Sequence, residues 1–312
     1  MSNYRYGNDY LVTAFKETTY GDYTGDYSVV ATILPDAAEF KPQQEAIEIK
    51  SKTGSVVPQG SEVLAGKSSG TVTIKGELSH KHLWLLAAFC GDSSSPYEIQ
   101  NSWTPWSHEL HQYFLTDDKG FRATGCVLES LKLSGESGST IQYEAVFRAR
   151  EIISEVDFNA GDFVDYGNLL NWSNTPFLFG DIVSVNLLDN NDYATFNRFN
   201  LNLNRSFAND DLSYQNAMKR NSDLLTGVSG SFGFETNYFN NSSGLFEDQL
   251  LHSAIKRIQF SLKDGTNTWL VTLYGKLSEV SPADPDRQIF VLAAEMRLAG
   301  DSTNQPLSII VS

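Results

Sequence analysis

The residues best equipped for chemistry crowd into "SHKHLWLLAAFC", residues 79–90, which holds His80, His82 and Cys90. Two imidazoles and a thiolate are the ligand types of a transition-metal site, and a Cys–His pair can make a nucleophile. The spacing argues against both. Two residues apart on a helix, the imidazoles point about 200° apart, whereas metal-binding helices place His at i and i+4. No second cysteine lies nearby, and Cys126, the other one in the chain, opens a strand pattern. Both cysteines read as small core residues. Carboxylate pairs suited to glycosidic acid–base work occur at Asp117/Asp118, Asp210/Asp211 and Asp284/Asp286. All three lie in turn sequences, where Asp bonds to its own backbone. "GDYTGDYS" lacks the spaced ladder and terminal Glu of a calcium loop. No phosphate loop, dinucleotide fingerprint or nucleophile elbow is present. The expectation is a protein without catalytic residues, metal or cofactor.

The elements that carry these residues are strands. Residues 1–30, Tyr-, Gly- and Asp-rich, read as an arm rather than a core element. "EAIEIK" (45–50) alternates Ile47 and Ile49 with Glu48 and Lys50, the period of a half-buried strand. A Gly/Ser-rich stretch, 51–70, reads as a long loop. "TVTIKGEL" (71–78) alternates again and runs into a helix-forming segment, with Ser79 as N-cap and Gly91 at the C-terminal glycine position. "GCVLESLKLS" and "STIQYEAVFRAR" read as a hairpin closed by "GESG".

The second half repeats this order. "FNRFNLNLN" (196–204) alternates Phe199, Leu201 and Leu203 with Asn200, Asn202 and Asn204. A polar loop (205–227) follows, then the strand "VSGSFGFET" and a helical run over 244–256, "GLFEDQLLHSAIK". The closing strands are "IQFSLKDGTNTWLVTLYGKLSEV" and "IFVLAAEMRLAG". The second helix has no His pair, so the repeated feature is the packing element and not the imidazoles. A tandem duplication is predicted, with domains at 1–160 and 161–312.

The formal charge is −15, from 23 Lys/Arg and 38 Asp/Glu, and both halves are acidic. Such a chain does not wrap a polyphosphate, because that affinity comes from basic residues displacing counterions. Two cysteines are too few for a disulfide framework. No signal peptide is readable at the N-terminus, and no apolar run approaches the roughly 20 residues of a membrane helix. The expectation is a protein made and assembled in soluble form, with no membrane partner.

Over residues 16–90, the opening "KETTYG", the strand entering "GSVVPQG", the following "LAGKSSGTVTIKGEL" and the short Leu/Ala helix resemble the N-terminal half of major tail tube proteins of long-tailed bacteriophages. "LESLKLSGESGSTIQYEAVFRAR" is similar to that family's closing hairpin. The resemblance implies a mostly β protein of two tandem β-sandwich or half-barrel tube domains, each with one flanking short helix. It implies three chains per ring with pseudo-sixfold symmetry, rings stacked into a tube, and double-stranded DNA passing without specific binding. Tail tip, tape measure and tail terminator proteins are the other partners implied. The location implied is the virion tail, after synthesis in the host bacterial cytoplasm. Ring stacking falls to the two long loops, through Gly54, Val57, Pro58, Gly60, Val63 and Leu64 in one, and Phe207, Asp210, Leu212, Tyr214, Met218 and Lys219 in the other. The polar strand faces, Glu48, Lys50, Lys75, Glu77, Asn200, Asn202, Asn204 and Glu235, are candidates to face the lumen. There, like charge would keep DNA from adhering. Two other readings compete: a receptor- or glycan-binding β-sandwich surface protein stacking sugars on Trp103, Trp106 and Trp172, and a two-carboxylate hydrolase.

Overall fold

The computed structural model describes residues 10–21, 29–33, 35–48, 63–92, 94–99, 106–114, 119–157, 175–182, 185–187, 196–208, 214–215, 219–220, 225–237, 255–282 and 291–312. These residues are overwhelmingly β. In the first half the strands are β1 (Tyr10–Lys16), β2 (Val29–Ile33), β3 (Ala37–Glu48), β4 (Val63–Glu77), β5 (Tyr97–Glu98), β6 (Ser107–Phe114), β7 (Lys119–Glu136), β8 (Gln142–Ala149) and β9 (Glu151–Asp157). In the second they are β10 (Val185–Leu187), β11 (Phe196–Phe207), β12 (Tyr214–Gln215), β13 (Lys219–Arg220), β14 (Leu225–Asn237), β15 (Lys256–Lys263), β16 (Thr268–Pro282), β17 (Val291–Leu298) and β18 (Leu307–Val311). The single α-helix among the described residues, α1, is Leu83–Cys90, preceded by a 3-10 turn over His80–His82.

The corner at α1 follows the sequence closely. Ser79 stands in extended backbone before the turn, and its N–H donates to His82 Nδ1 at 3.0 Å. Gly91 ends the helix at φ 80°, a left-handed conformation that favours glycine, and its N–H returns to the Ala87 carbonyl at 2.7 Å. Seven of the eight helical residues are buried, so the helix sits inside the core and not on its rim.

The pairing order of the first half recurs in the second. β1 pairs β6, β6 pairs β7, β7 pairs β8 and β9, β8 pairs β4, and β4 pairs β3. Correspondingly, β10 pairs β15, β15 pairs β16, β16 pairs β17 and β18, β17 pairs β14, and β14 pairs β11. All of these ladders are antiparallel. Even an irregularity repeats: the β7–β8 ladder shifts register between Leu128 and Ser130, and the β16–β17 ladder between Leu277 and Glu279. Both long strands use this bulge to turn from one set of neighbours to another.

The two halves join edge to edge. β11 pairs β7 without interruption from Arg198–Glu136 to Asn204–Ser130. One continuous sheet therefore runs β3-β4-β8-β7-β11-β14-β17-β16. Its inner face buries Val72, Ile74, Leu131, Phe147, Leu201, Phe232 and Met296 in a cluster that draws on both halves. Residues 175–182 reinforce the junction. Phe177 is fully buried, exchanges backbone bonds with Leu78 and Ile141, and packs its ring 5.0 Å from Trp269.

Three expectations are corrected. Residues 1–30 do not simply form an arm: Leu11 to Phe15 of β1 are all buried, between β2 and β6. Tyr and Gly flank that strand and mask its short apolar run. The first long loop is shorter than its composition suggests, because β4 begins at Val63. The Gly/Ser stretch "GKSSG" serves as strand; at Gly70 a Cβ would lie 2.5 Å from the Ile152 side chain, so the small residue admits a close neighbour. The helical run predicted over 244–256 does not include its last two residues, since Ile255 is not helical and Lys256 opens β15; residues 244–254 lie outside the described residues.

Candidate functional site

The described candidates for the polar face come together. Directly paired residues in a sheet share a face. Lys75 pairs Glu144, Glu144 pairs Lys132, Lys132 pairs Asn202, Asn202 pairs Ser231, and Ser231 pairs Arg297. The neighbouring row runs Glu77, Gln142, Ser134, Asn200, Gly233, Glu295 and Glu279. Asn204 and Glu235 fall on the same face, opposite Ser229 and Arg198. Six residues, spread along the chain from Lys75 to Glu235, thus share one outer surface of one sheet. Glu48 closes β3 opposite Val63, and Lys50 lies outside the described residues.

That surface is not uniformly acidic. Lys75 Nζ sits 3.0 Å from Glu144 Oε1, and Lys132, Arg198 and Arg297 alternate with Glu77, Glu235 and Glu295 among Asn and Ser. The Thr140 hydroxyl donates to Glu77 Oε1 at 2.9 Å. Both signs interleave, so the excess negative charge of the chain is not concentrated here. A groove breaks the surface on β11, β14, β16 and β17, lined by Arg198, Gly233, Glu235, Glu279, Ala293 and Glu295.

The loop candidates divide. Gly54, Val57, Pro58, Gly60, Asp210, Leu212 and Met218 lie outside the described residues. Val63 and Leu64 belong to β4, paired with Glu48 and Ile47. Phe207 ends β11, with the Arg148 guanidinium 4.8 Å over its ring. Tyr214 and Lys219 belong to the short β12–β13 ladder, and Lys219 also pairs Ser68 of β4. These five are strand residues, not loop residues, because backbone ladders continue past the point where side-chain alternation stops. The two stretches predicted as loops meet where Lys219 pairs Ser68.

The imidazoles and thiols take structural positions. Trp269 Nε1–H donates to His80 Nδ1 at 3.1 Å, tying the corner of the first half to β16. His82 turns inward against Tyr143, ring centroids 4.4 Å apart, and burial pulls its pKa down to about 4. Burial pushes the Cys90 thiol up to about 12, and Cys126 is fully buried. Among the described residues, no group of three or more His, Cys, Asp and Glu could hold a metal. The three Asp pairs, Trp103 and Trp172 lie outside the described residues. Trp106 is half-buried with Lys16 Nζ 3.0 Å from its ring centre, so a cation covers one face of the ring.

Three features escaped the sequence reading. Glu17 of "KETTYG" accepts from the backbone N–H of Gly21 and of Gly125, both at 2.8 Å, and Arg150 Nη1 donates to the Gly21 carbonyl at 3.0 Å. The motif is a folded corner at the end of β1. On β6, Glu109 and His111 form a buried pair at 2.6 Å. Arg205, placed in a loop by its neighbours, is a buried strand residue whose guanidinium reaches the Leu128 carbonyl at 2.9 Å and the Ala88 and Phe89 carbonyls at the end of α1. Its position two residues past Leu203, on the buried parity of β11, was the available signal.

Among the described residues, the run from β3 to β16 is open at both of its ends. The outer edge of β3 faces no strand. The end of β16 beyond Gly275 pairs β17 on one side only. A scan against protein-family models finds no match to the chain, and a search of curated proteins finds none either.

Proposed function

We propose that the chain is a structural subunit of a bacteriophage tail tube, a non-enzymatic virion protein that assembles with copies of itself into stacked rings through which DNA passes. The observation that carries this reading is the β7–β11 junction. Two halves of equivalent topology already join edge to edge inside one chain, and the strands equivalent to β11 and β7, namely β3 and β16, are left open at the two ends of the sheet. An open edge is a template for another strand, and head-to-tail contacts of one kind close into a ring where the rotation permits. Three chains would then present six equivalent sheet segments. The polar face, with both charge signs interleaved among Asn and Ser, suits a lumen past which a polyanion slides: it offers no basic stripe to displace the counterions of the phosphates. The resemblance of residues 16–90 to tail tube proteins supports the same reading, as does the "KETTYG" corner that it contains. In this account the tail tip, tape measure and tail terminator proteins are the heterologous partners. Negative-stain electron microscopy of the purified chain tests it: rings or tubes with sixfold-looking end views are expected, and a chain that stays monomeric at every concentration contradicts it.

A further inference from the structure

Resting on that reading, we propose that the acidic groove on β11, β14, β16 and β17 receives Lys41 from a second copy of this chain, whose β3 pairs β16 in the register of β7 with β11. The repeat supplies the register. The shared bulge aligns Ser130, Leu131, Lys132 and Leu133 of β7 with Glu279, Val280, Ser281 and Pro282 of β16. The ladders to β8 and β17 then align Val72 and Ile74 with Phe232 and Phe234, and these align Ala38, Phe40 and Lys41 with Phe199, Leu201 and Asn202. The buried positions match throughout, since Phe40, Val72 and Ile74 are core residues like Leu201, Phe232 and Phe234. Carrying the observed pairs Lys132–Asn202 and Ser130–Asn204 across the repeat sets Ser281 opposite the second copy's Lys41, and Glu279 opposite its Gln43.

The charges fit that register. Glu279 and Glu295 lie directly opposite each other, a like-charge pair that weakens a sheet unless a cation attends it. With Glu235 they set three carboxylates against one guanidinium, Arg198, in the groove. Lys41 is exposed and, among the described residues, pairs with its neighbour Glu39 at 3.2 Å. In the derived register its side chain is diagonal to Glu279 on the polar face, within reach of a long side chain. Both edges also carry a proline, Pro42 and Pro282, which withholds a backbone donor from the ladder. An ion pair at this boundary compensates for fewer backbone bonds, and unpaired subunits are discouraged from joining at random.

Sedimentation velocity across a concentration series tests the proposal. Lys41→Glu is expected to raise the concentration needed for assembly about fivefold or more, and Glu279→Lys on that background to restore it. A Gln43→Cys, Glu279→Cys chain should oxidise to disulfide-linked multimers, whereas Lys41→Cys with Glu279→Cys, two residues out of register, should not. The native cysteines, both buried, stay silent in this assay. Wild-type chains that assemble while the charge reversal has no effect, or while both cysteine pairs link equally, overturn this register and leave the subunit reading standing. Wild-type chains that never assemble overturn the subunit reading itself.

Discussion

Arg205, on β11 in the second half, donates from Nη2 to the Ala88 carbonyl at 2.8 Å, at the end of α1 in the first half. The last carbonyls of a helix have no intrahelical donor. Here a planar guanidinium supplies one from across the junction, while its flat face lies 4.5 Å over the Phe89 ring. Replacement by Met keeps the bulk and removes every donor. Stripping a buried carbonyl of its partner costs about 1–3 kcal/mol, so Arg205→Met should lower stability by about 3 kcal/mol. Arg205→Lys, which cannot span the same fork, should lose about 2 kcal/mol. Urea midpoints of the three proteins check this.

His80 and Trp269 make a second tie between the halves. The Trp269 side chain is fully buried and its indole N–H has the His80 ring as acceptor. His80→Ala should cost about 1–3 kcal/mol and shift the tryptophan emission, whereas His80→Gln, which keeps an acceptor, should recover part of the loss.

Acid should unfold the protein through its buried imidazoles. In the unfolded chain each titrates near the ordinary value of about 6.5. In the fold, burial holds His82 down to about 4 and His108 to about 3. Between those values the unfolded state binds more protons, so stability falls as pH falls, by on the order of 1 kcal/mol per pH unit for each ring. Above about pH 6.5 the effect vanishes, and below about pH 4 the His82 share is complete. Urea unfolding from pH 7.5 to 4.5 should show this slope, and His82→Gln should cut it to about half, leaving the His108 share; a wild-type stability that is level across the range contradicts the assignment.

Glu17 binds two backbone donors, the N–H groups of Gly21 and Gly125. Gly125 is held at φ 60°, where a side chain is strained. Glu17→Ala should destabilise by about 2 kcal/mol and loosen the β1 corner, visible as faster hydrogen exchange at the Gly125 amide; Glu17→Gln should retain one of the two bonds.

The alternating strands were legible because one face is buried and the other wet. Phe199, Leu201 and Leu203 against Asn200, Asn202 and Asn204 state the β11 register outright, and the structure places them so. The Ser79–Gly91 corner was equally plain, since capping is local chemistry. What stayed hidden was set by partners distant in sequence. β1 is buried by β6 nearly a hundred residues later, so its five consecutive core residues show no alternation. "GKSSG" pairs because β3 is beside it, and not because Gly and Ser favour strands. Arg205 reads as solvated because its three carbonyl partners lie 77 to 117 residues away. The polar face could be read strand by strand, but its continuity across both halves depends on the β7–β11 ladder, which no local pattern encodes.

The central claim is that the open edges of β3 and β16 join copies of the chain as β7 joins β11. Class-averaged electron microscopy of the purified protein, taken through a concentration series, tests it most directly. The account predicts closed rings of three chains with six similar segments, stacking into tubes as concentration rises. Monomers at every concentration, or irregular aggregates without a closed ring, would contradict it.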